Sequence, residues 1–235
     1  MCRGTLCNVL DASATSDKTC ITNHIAYMAR LFILLLTLAA AYSSAETFEH
    51  DFVNAALDRT RQSVAYDGSY FTIAYPNGDV PSHLGVCTDV IVRSYRAIGT
   101  DLQVLVHEDM SKYFSQYPSN RIWGLTAPDK NIDHRRVPNL QAFFSRHGES
   151  LSISTSPADY LPGDLVTWML PGNLPHIGIV TDRHSELSGN PLVVHNIGAG
   201  PDLDDILFAY TITGHYRYVP QTYSPPGQRE PLTGR

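Results

Sequence analysis

The segment PGDLVTWMLPGNLPHIGIVTD, residues 162–182, decides the fold. It holds two β-rich runs, Leu165 to Leu170 and His176 to Thr181, and a Pro-Gly-Asn turn signal separates them. Two further β-rich runs follow, Leu192 to Ile197 and Ile206 to Tyr218. The second half of the chain therefore predicts an antiparallel meander.

Helical patterns dominate the first half. Apolar side chains recur on one face over residues 48–64 and again over 87–98, where Gly99 is a natural stop. A third helix is expected from Pro138 to Gly148, and a short strand from Tyr70 to Tyr75. Helices followed by an antiparallel meander predict an α+β fold, with the helices packed on one face of the sheet.

The N-terminal region predicts export. LFILLLTLAAA, residues 31–41, is a short apolar run after Arg30, and small residues lead to a plausible cleavage site after Ala45. The run is too short to cross a bilayer as a helix, which takes about 20 residues. We expect an upstream extension over residues 1–27, a signal peptide over 28–45, one domain over 46–219 and a disordered tail over 220–235.

Composition narrows the class of protein. Apolar residues make up 43% of the chain, enough for a real core, and the net charge of −6 comes without a basic run. Binding to nucleic acid is therefore not expected. A cysteine does not directly follow the apolar run, so a lipid anchor is not expected either. A periplasmic or secreted protein without a stable membrane anchor is the simplest expectation, and the sequence leaves its oligomeric state open.

Cys87 is the candidate nucleophile. The other three cysteines, Cys2, Cys7 and Cys20, lie in the segment expected to be removed. Cys87 opens the predicted second helix, where unpaired N–H groups favour a thiolate and can stabilise an oxyanion. We therefore expect a lowered pKa for this thiol. The alternative is a buried structural cysteine.

Two histidines on neighbouring predicted strands could complete the site. His176 opens a strand in which Ile177 and Ile179 can face the core while His176 and Gly178 face the other way. A thiol nucleophile needs such a base, and a third group must hold the base in place. Either His195 or Asn196 on the next strand could do so, and alternation favours His195.

These residues belong to a recognisable pattern. A Gly-Asp-Leu strand followed by a His-Ile-Gly-Ile strand resembles the NlpC-type cell-wall peptidases. More closely, the chain resembles the bacterial family known as domain of unknown function 1287. The resemblance covers roughly residues 50–219 and rests on six runs: GVCTDV (85–90), LVHEDM (105–110), NIDHRRVPNL (131–140), HIGIVTD (176–182), HNIGAG (195–200) and ITGHYRY (212–218).

The resemblance implies a papain-like fold, a Cys87, His176 and His195 triad, and cleavage of an amide bond in peptidoglycan peptides. It implies no cofactor. The sequence departs from the NlpC-type pattern around the thiol, where Val86 and Thr88 replace the usual aspartate and serine. An upstream tyrosine often assists the oxyanion in those enzymes, and Tyr70 or Tyr75 is the candidate here.

Several polar residues could have either a functional or a structural role. Thr88 and Asn196 could contact substrate or oxyanion. Arg135 and Arg136 could clamp a substrate carboxylate, or could belong to a solvated, salt-bridged loop. The His107-Glu108-Asp109 run could cap a following short helix.

Two other classes of function remain open at this stage. His215 is a rival for the third position of the triad. His176, His195 and His215 with Asp182 could instead form a zinc site in a metal hydrolase, although the usual ligand spacings are missing. The domain could also be a cell-envelope binding module that retains the fold without catalysis.

Overall fold

A computed structural model describes Arg30 and residues 47–221 and 223–225. Its centre is a six-stranded sheet with the order β3-β8-β4-β5-β6-β7 and antiparallel pairing throughout. The strands are β3 (Glu149–Ser150), β4 (Leu165–Leu170), β5 (Leu174–His184), β6 (Pro191–His195), β7 (Asp202–Asp204) and β8 (Thr211–Arg217). Two short strands, β1 (Ala65–Tyr66) and β2 (Leu84–Gly85), form a separate parallel pair.

The helices precede this sheet in the chain. They are α1 (residues 47–59), α2 (Cys87–Ala97), α3 (Leu102–Tyr113), α4 (Ser119–Trp123) and α5 (Val137–His147). The α+β class and the antiparallel pairing are therefore confirmed. The meander holds from β4 through β6, but β8, the last predicted strand, pairs with β4 instead of continuing it. Among the described residues, no helix is long and apolar enough to cross a membrane.

The β4–β5 hairpin sets the register of the sheet. Leu165 pairs with Ile179, and Trp168 pairs with His176. Gly172 and Asn173 in the connecting turn have φ angles of 81° and 65°, a region that glycine and asparagine reach at low cost. Because paired residues share a face, this register puts His176 beside Trp168 and leaves Ile177 on the opposite face.

Both faces of the sheet are covered. Leu165, Ile177, Ile179 and Val194 pack in the larger cluster, which α1, α2, α3 and α5 complete. The opposite face carries a smaller cluster with Trp168 at its centre, which also contains Tyr160, Val166, Val180, Val193 and Leu207. Central strands buried on both faces explain why β4 and β5 read as nearly continuous apolar runs.

Local signals account for the helix ends that position the site. At the start of α2 the Val86 N–H donates to the Asp89 carboxylate at 2.7 Å, which satisfies one of the free donors there. Asp101 caps α3 by accepting from the Gln103 N–H at 3.0 Å. Pro138 lies in the first turn of α5, where its missing N–H costs nothing.

Three predicted boundaries are wrong. The helix expected over residues 48–64 ends at 59, where the Thr60 hydroxyl turns back to the Leu57 carbonyl. The segment from Tyr70 to Tyr75 forms no strand, since the Ile73 N–H bonds to the Asn131 side chain rather than to a neighbouring strand. The run from Ile206 to Tyr218 joins the sheet only from Thr211.

One prediction about polar runs is wrong and another holds in part. His107, Glu108 and Asp109 lie inside α3 rather than capping a helix. The segment Asp133–Arg135 is a buried 3₁₀ turn rather than a solvated loop, but the run is salt-bridged as expected, through Arg135 and Arg136. The extension, the signal peptide and most of the expected disordered tail lie outside the described residues.

A buried charge cluster joins β8 to the start of β4. Asp164, fully buried, accepts from both Nε and Nη2 of Arg217 at 2.8 and 2.9 Å and lies 2.7 Å from His215 Nε2. Removing this charge leaves the partly exposed Arg217 guanidinium and the buried His215 ring without their anionic partner.

We expect Asp164→Asn to lower the free energy of unfolding by about 1–3 kcal/mol. Asp58→Asn removes an exposed pair with Arg61 and should cost less than about 1 kcal/mol. Urea unfolding of both variants checks this, and equal losses would contradict it.

Candidate active site

Three neighbouring strands bring together a chain of polar side chains. His176 on β5 places Nε2 at 3.1 Å from Nδ1 of His195 on β6. His195 Nε2 in turn lies 3.1 Å from Asp204 Oδ2 on β7. We call His176, His195 and Asp204 the imidazole relay. The structure thus places His195, rather than Asn196, against His176.

Gly178 makes this approach possible. A Cβ atom at Gly178 would lie 2.6 Å from Val193 Cγ1, 3.0 Å from the Val194 carbonyl oxygen and 3.2 Å from His195 Cβ. A side chain there would push β6 and His195 away from β5. The glycine in the His-Ile-Gly-Ile run therefore serves close packing of the relay.

The relay fixes one tautomer of each ring. A carboxylate only accepts hydrogen bonds, so His195 Nε2–H donates to Asp204. A neutral imidazole has a single N–H, so His195 Nδ1 must accept, and His176 Nε2–H donates to it. His176 Nδ1 is then left with a free lone pair, the form that a general base requires.

Burial keeps both rings neutral. His176 is 2% exposed, and burial, with the nearby His195, lowers its pKa to about 3. Burial also lowers the pKa of His195, against the opposing effect of Asp204 and Asp202. At neutral pH the relay therefore holds no imidazolium until a proton is delivered to it.

Cys87 is the first residue of α2 and lies 4% exposed in the larger apolar cluster. Burial raises the pKa of its thiol to about 12, although the N–H groups of Ile177, Thr88 and Cys87 itself favour the thiolate. The expectation of a lowered pKa at this helix start is therefore wrong. Removal from water outweighs the helix N–H groups.

The Cys87 sulfur and the His176 imidazole lie on different sides of the same short segment of β5. The Ile177 N–H points at the sulfur, and Ile177 shares the apolar cluster with Cys87. The His176 side chain lies on the other face, 5.8 Å from the Trp168 ring between centroids. Within the described residues, no hydrogen bond joins Cys87 to His176.

A tyrosine that the sequence did not single out lies near the thiol. Tyr66 on β1 pairs with Gly85, two residues before Cys87. Burial raises the pKa of Tyr66 to about 12, and Cys87 and Asp89 add to this effect. The parallel β1–β2 pair is the feature that places it here, and such two-residue strands leave almost no sequence signal.

The two tyrosines expected near the thiol have other contacts. The Tyr70 hydroxyl donates to Asp129 at 3.0 Å. The Tyr75 ring packs against His107 and lies under the Lys130 ammonium group.

The other candidate residues have structural partners. The Thr88 hydroxyl donates to the Arg135 carbonyl oxygen at 3.0 Å. Arg135 forms a buried bidentate pair with Asp89, with distances of 2.8 and 2.9 Å. Arg136 pairs with Asp133 at 2.9 Å and stacks over Trp123. Both guanidinium groups are thus bound to carboxylates of the protein itself.

Asn196 lies at the end of β6 and has one unsatisfied group. Its Oδ1 accepts from the N–H groups of Gly198 and Gly200, while Nδ2 is buried and has no hydrogen-bond partner. Asn196 lines a cavity of about 10 Å³, room for a single water molecule, together with Gly85 and Val86.

The zinc set considered from the sequence is not assembled. His215 binds Asp164 at 2.7 Å and stacks on Tyr160, so it does not join His176 and His195. In the part of the chain that the structure describes, no three His, Cys, Asp or Glu side chains are grouped so that they could hold a metal ion.

The chain belongs to a family of bacterial domains whose function is unknown, described as Domain of unknown function (DUF1287), which it matches over residues 53–218. It is 50% identical over 168 residues to an Uncharacterized protein, YijF, of Escherichia coli (strain K12). That match covers 70% of this chain and 80% of the relative.

The low pKa of His176 predicts a stability change with pH. Because the unfolded chain takes up a proton near pH 6.5 and the folded ring does so only near 3, the unfolded state binds more protons between these values. Stability should fall as pH falls from about 6.5, by at most about 1.4 kcal/mol per unit from this group.

Urea unfolding between pH 7 and pH 4 checks this prediction. His176→Gln should lose less stability than the wild type as pH falls, because it lacks the His176 ring. Some loss should remain, because the other titrating groups are still present. His50→Gln, at an exposed histidine, is the matched control. An identical pH dependence in all three proteins would refute the burial argument.

Proposed function

We propose that the protein is an exported cysteine hydrolase that cleaves an amide bond in peptidoglycan peptides with a papain-like, NlpC-type arrangement. The observation that supports it best is the imidazole relay, which orients a neutral histidine base, His176, on β5. The next residue of β5 is Ile177, and its N–H faces the Cys87 sulfur.

The reaction begins with proton transfer from the thiol. His176 Nδ1 takes the Cys87 proton as the sulfur forms a bond to the amide carbonyl carbon, and the carbonyl oxygen becomes an oxyanion. The imidazolium that forms is stabilised by His195, which accepts from His176 and donates to Asp204. His176 then gives the proton to the leaving amine as the C–N bond breaks, which leaves a thioester.

The second half of the reaction regenerates the enzyme. His176 removes a proton from water, the hydroxide oxygen bonds to the thioester carbonyl carbon, and the C–S bond breaks to release a carboxylic acid and the Cys87 thiolate. The His176 imidazolium then returns its proton to this sulfur, which restores the neutral pair. The Cys87 N–H and the Tyr66 hydroxyl are the proposed oxyanion donors. General acid–base help of this kind contributes typically about 10²–10⁴-fold.

The burial of Cys87 means that the proposed reaction starts from a thiol and not from a preformed thiolate. Proton transfer and sulfur attack must then be coupled, as for a serine nucleophile. The Cys87 sulfur and the His176 imidazole must also move closer to each other when substrate binds. Catalytic hydrogen bonds are often long before substrate binds and tighten in the complex.

The same burial favours a second candidate function, a binding module that retains the fold without catalysis. A thiol with a pKa near 12 in an apolar cluster is the expected state of a structural cysteine. Iodoacetamide labelling followed by mass spectrometry separates the two. Labelling of the native protein near neutral pH supports the enzyme, whereas labelling only in denaturant supports the binding module.

Cys87→Ala should abolish release of peptide fragments from purified muropeptides while the protein stays folded. The wild type should release them, as measured by mass spectrometry, and circular dichroism provides the control for folding. Cleavage by the variant at the wild-type rate would refute a nucleophilic role for Cys87.

Tyr66→Phe should lower kcat by about 10-fold or more if its hydroxyl binds the oxyanion, since loss of one such donor costs about 10²–10³ in other hydrolases. KM should change little. Tyr70→Phe is the matched control, because Tyr70 is an exposed tyrosine that bonds to Asp129. Equal rates for the two variants would remove Tyr66 from the mechanism.

Export follows from the predicted signal peptide over residues 28–45 and is part of this proposal. In that setting the peptide stems of the cell wall would be the accessible substrates.

A further inference from the structure

A basic groove lies between the end of α1 and the second half of α2, away from the imidazole relay. Its volume is about 270 Å³. We call it the arginine groove and define it by the polar residues that line it: Arg59, Gln62, Asp79, Ser82, Arg93 and Arg96. Three guanidinium groups thus line one groove together with one carboxylate.

Asp79 is already shared between two of these arginines. It accepts from Arg93 Nε at 2.9 Å and from Arg93 Nη2 at 3.2 Å. Arg96 Nη1 lies 3.2 Å from the same carboxylate. Arg93 also donates to the carbonyl oxygens of Val80 and Leu84, so it is committed to holding the segment before α2.

Arg59 is the arginine with spare capacity. Among the described residues, no carboxylate lies within 4.0 Å of its guanidinium group, and its two hydrogen bonds, to the Ala55 carbonyl and to Gln62, are 3.4 and 3.5 Å long. Burial and the nearby charge of Arg93 lower the pKa of Arg59, against the opposing effect of Asp58 and Asp79.

Arg96 adds an unsatisfied group to the same groove. Its Nε atom is buried and has no hydrogen-bond partner in the described part of the chain. Its Nη1 and Nη2 atoms lie 3.2 Å from Asp79 and 3.6 Å from Asp101, and Nη2 also donates to the Gly78 carbonyl at 2.9 Å. The groove therefore keeps two donor groups that the protein itself uses little, the Arg59 guanidinium and Arg96 Nε.

We propose that the arginine groove binds the carboxylate of a small ligand. Guanidinium groups bind planar carboxylates through paired N–H donors, and a ligand carboxylate would accept from the Arg59 guanidinium and Arg96 Nε, which the protein leaves largely unused. This inference goes beyond the proposed hydrolase activity and holds whether or not Cys87 reacts.

The size of the groove limits the ligand to a small acid. Arg59, Gln62 and Arg93 also line the cavity that contains Val86 and Asn196, but the volume of that cavity is about 10 Å³, room for a single water molecule. The ligand therefore binds in the groove itself, whose volume is about 270 Å³, and does not extend to the buried Asn196 Nδ2.

The test uses N-acetyl-L-alanine as the probe and N-acetyl-L-alaninamide, which lacks the charge, as its control. Binding is measured by titration of ¹⁵N-labelled protein and following backbone amide shifts. The acid should bind and shift residues 59, 62 and 82, and the amide should not. Similar binding of both probes would overturn the proposal, as would tighter binding of inorganic phosphate than of the acid.

Arg59→Gln should weaken binding of the acid by about tenfold or more, since a charged hydrogen bond contributes about 1.5–3 kcal/mol. Arg61→Gln is the matched control, because it removes the same charge from an exposed arginine two residues away. Equal weakening in both variants would show nonspecific attraction and refute the site. Amide spectra of the free variants establish that each is folded.

Discussion

The alternation of side chains along β5 is the constraint on which the rest of the structure depends. Ile177 and Ile179 face the helices, and His176 and Gly178 face the opposite side. One face of the strand therefore anchors the main apolar cluster, while the other carries the base of the candidate site. A shift of one residue in register would turn the imidazole toward α2 and would turn both isoleucines toward Trp168 in the smaller cluster.

Electrostatics in the candidate site follow from burial more than from local charge. The start of α2 provides N–H groups that favour an anion, yet the Cys87 thiol has a raised pKa because it is removed from water. The same removal lowers the pKa of His176. Both groups are consequently neutral at rest, and the proposed chemistry depends on proton transfer between them rather than on a stored ion pair.

The sequence predicted the elements with strong periodicity. The strand Leu165–Leu170 has the expected bounds, and α2 ends one residue before the expected Ile98. β5 is longer than predicted at both ends, because Leu174 and Pro175 still pair with β4 and His184 pairs with Pro191. Such pairing depends on the partner strand and leaves no periodic signal of its own.

Other features could not be predicted because they depend on distant parts of the chain. Residues 205–210 leave the sheet since Leu207 packs under it and accepts a hydrogen bond from Trp168 Nε1 at 2.9 Å. Asp204 joins the relay only because β7 pairs with β6. The histidine pair itself was expected from the sequence, but the carboxylate behind it and the tyrosine beside the thiol were not.

The buried Arg135–Asp89 pair has a mechanical consequence. Arg135 also donates to the Ser69 carbonyl at 3.3 Å, so a single side chain connects the first turn of α2 with the segment that follows Tyr66. The head of α2 and this segment must therefore move as one rigid block. Movement that admits a ligand to Cys87 is then expected in the stretch after β6. There the side-chain oxygen Oδ1 of Asn196 accepts hydrogen bonds from the N–H groups of Gly198 and Gly200.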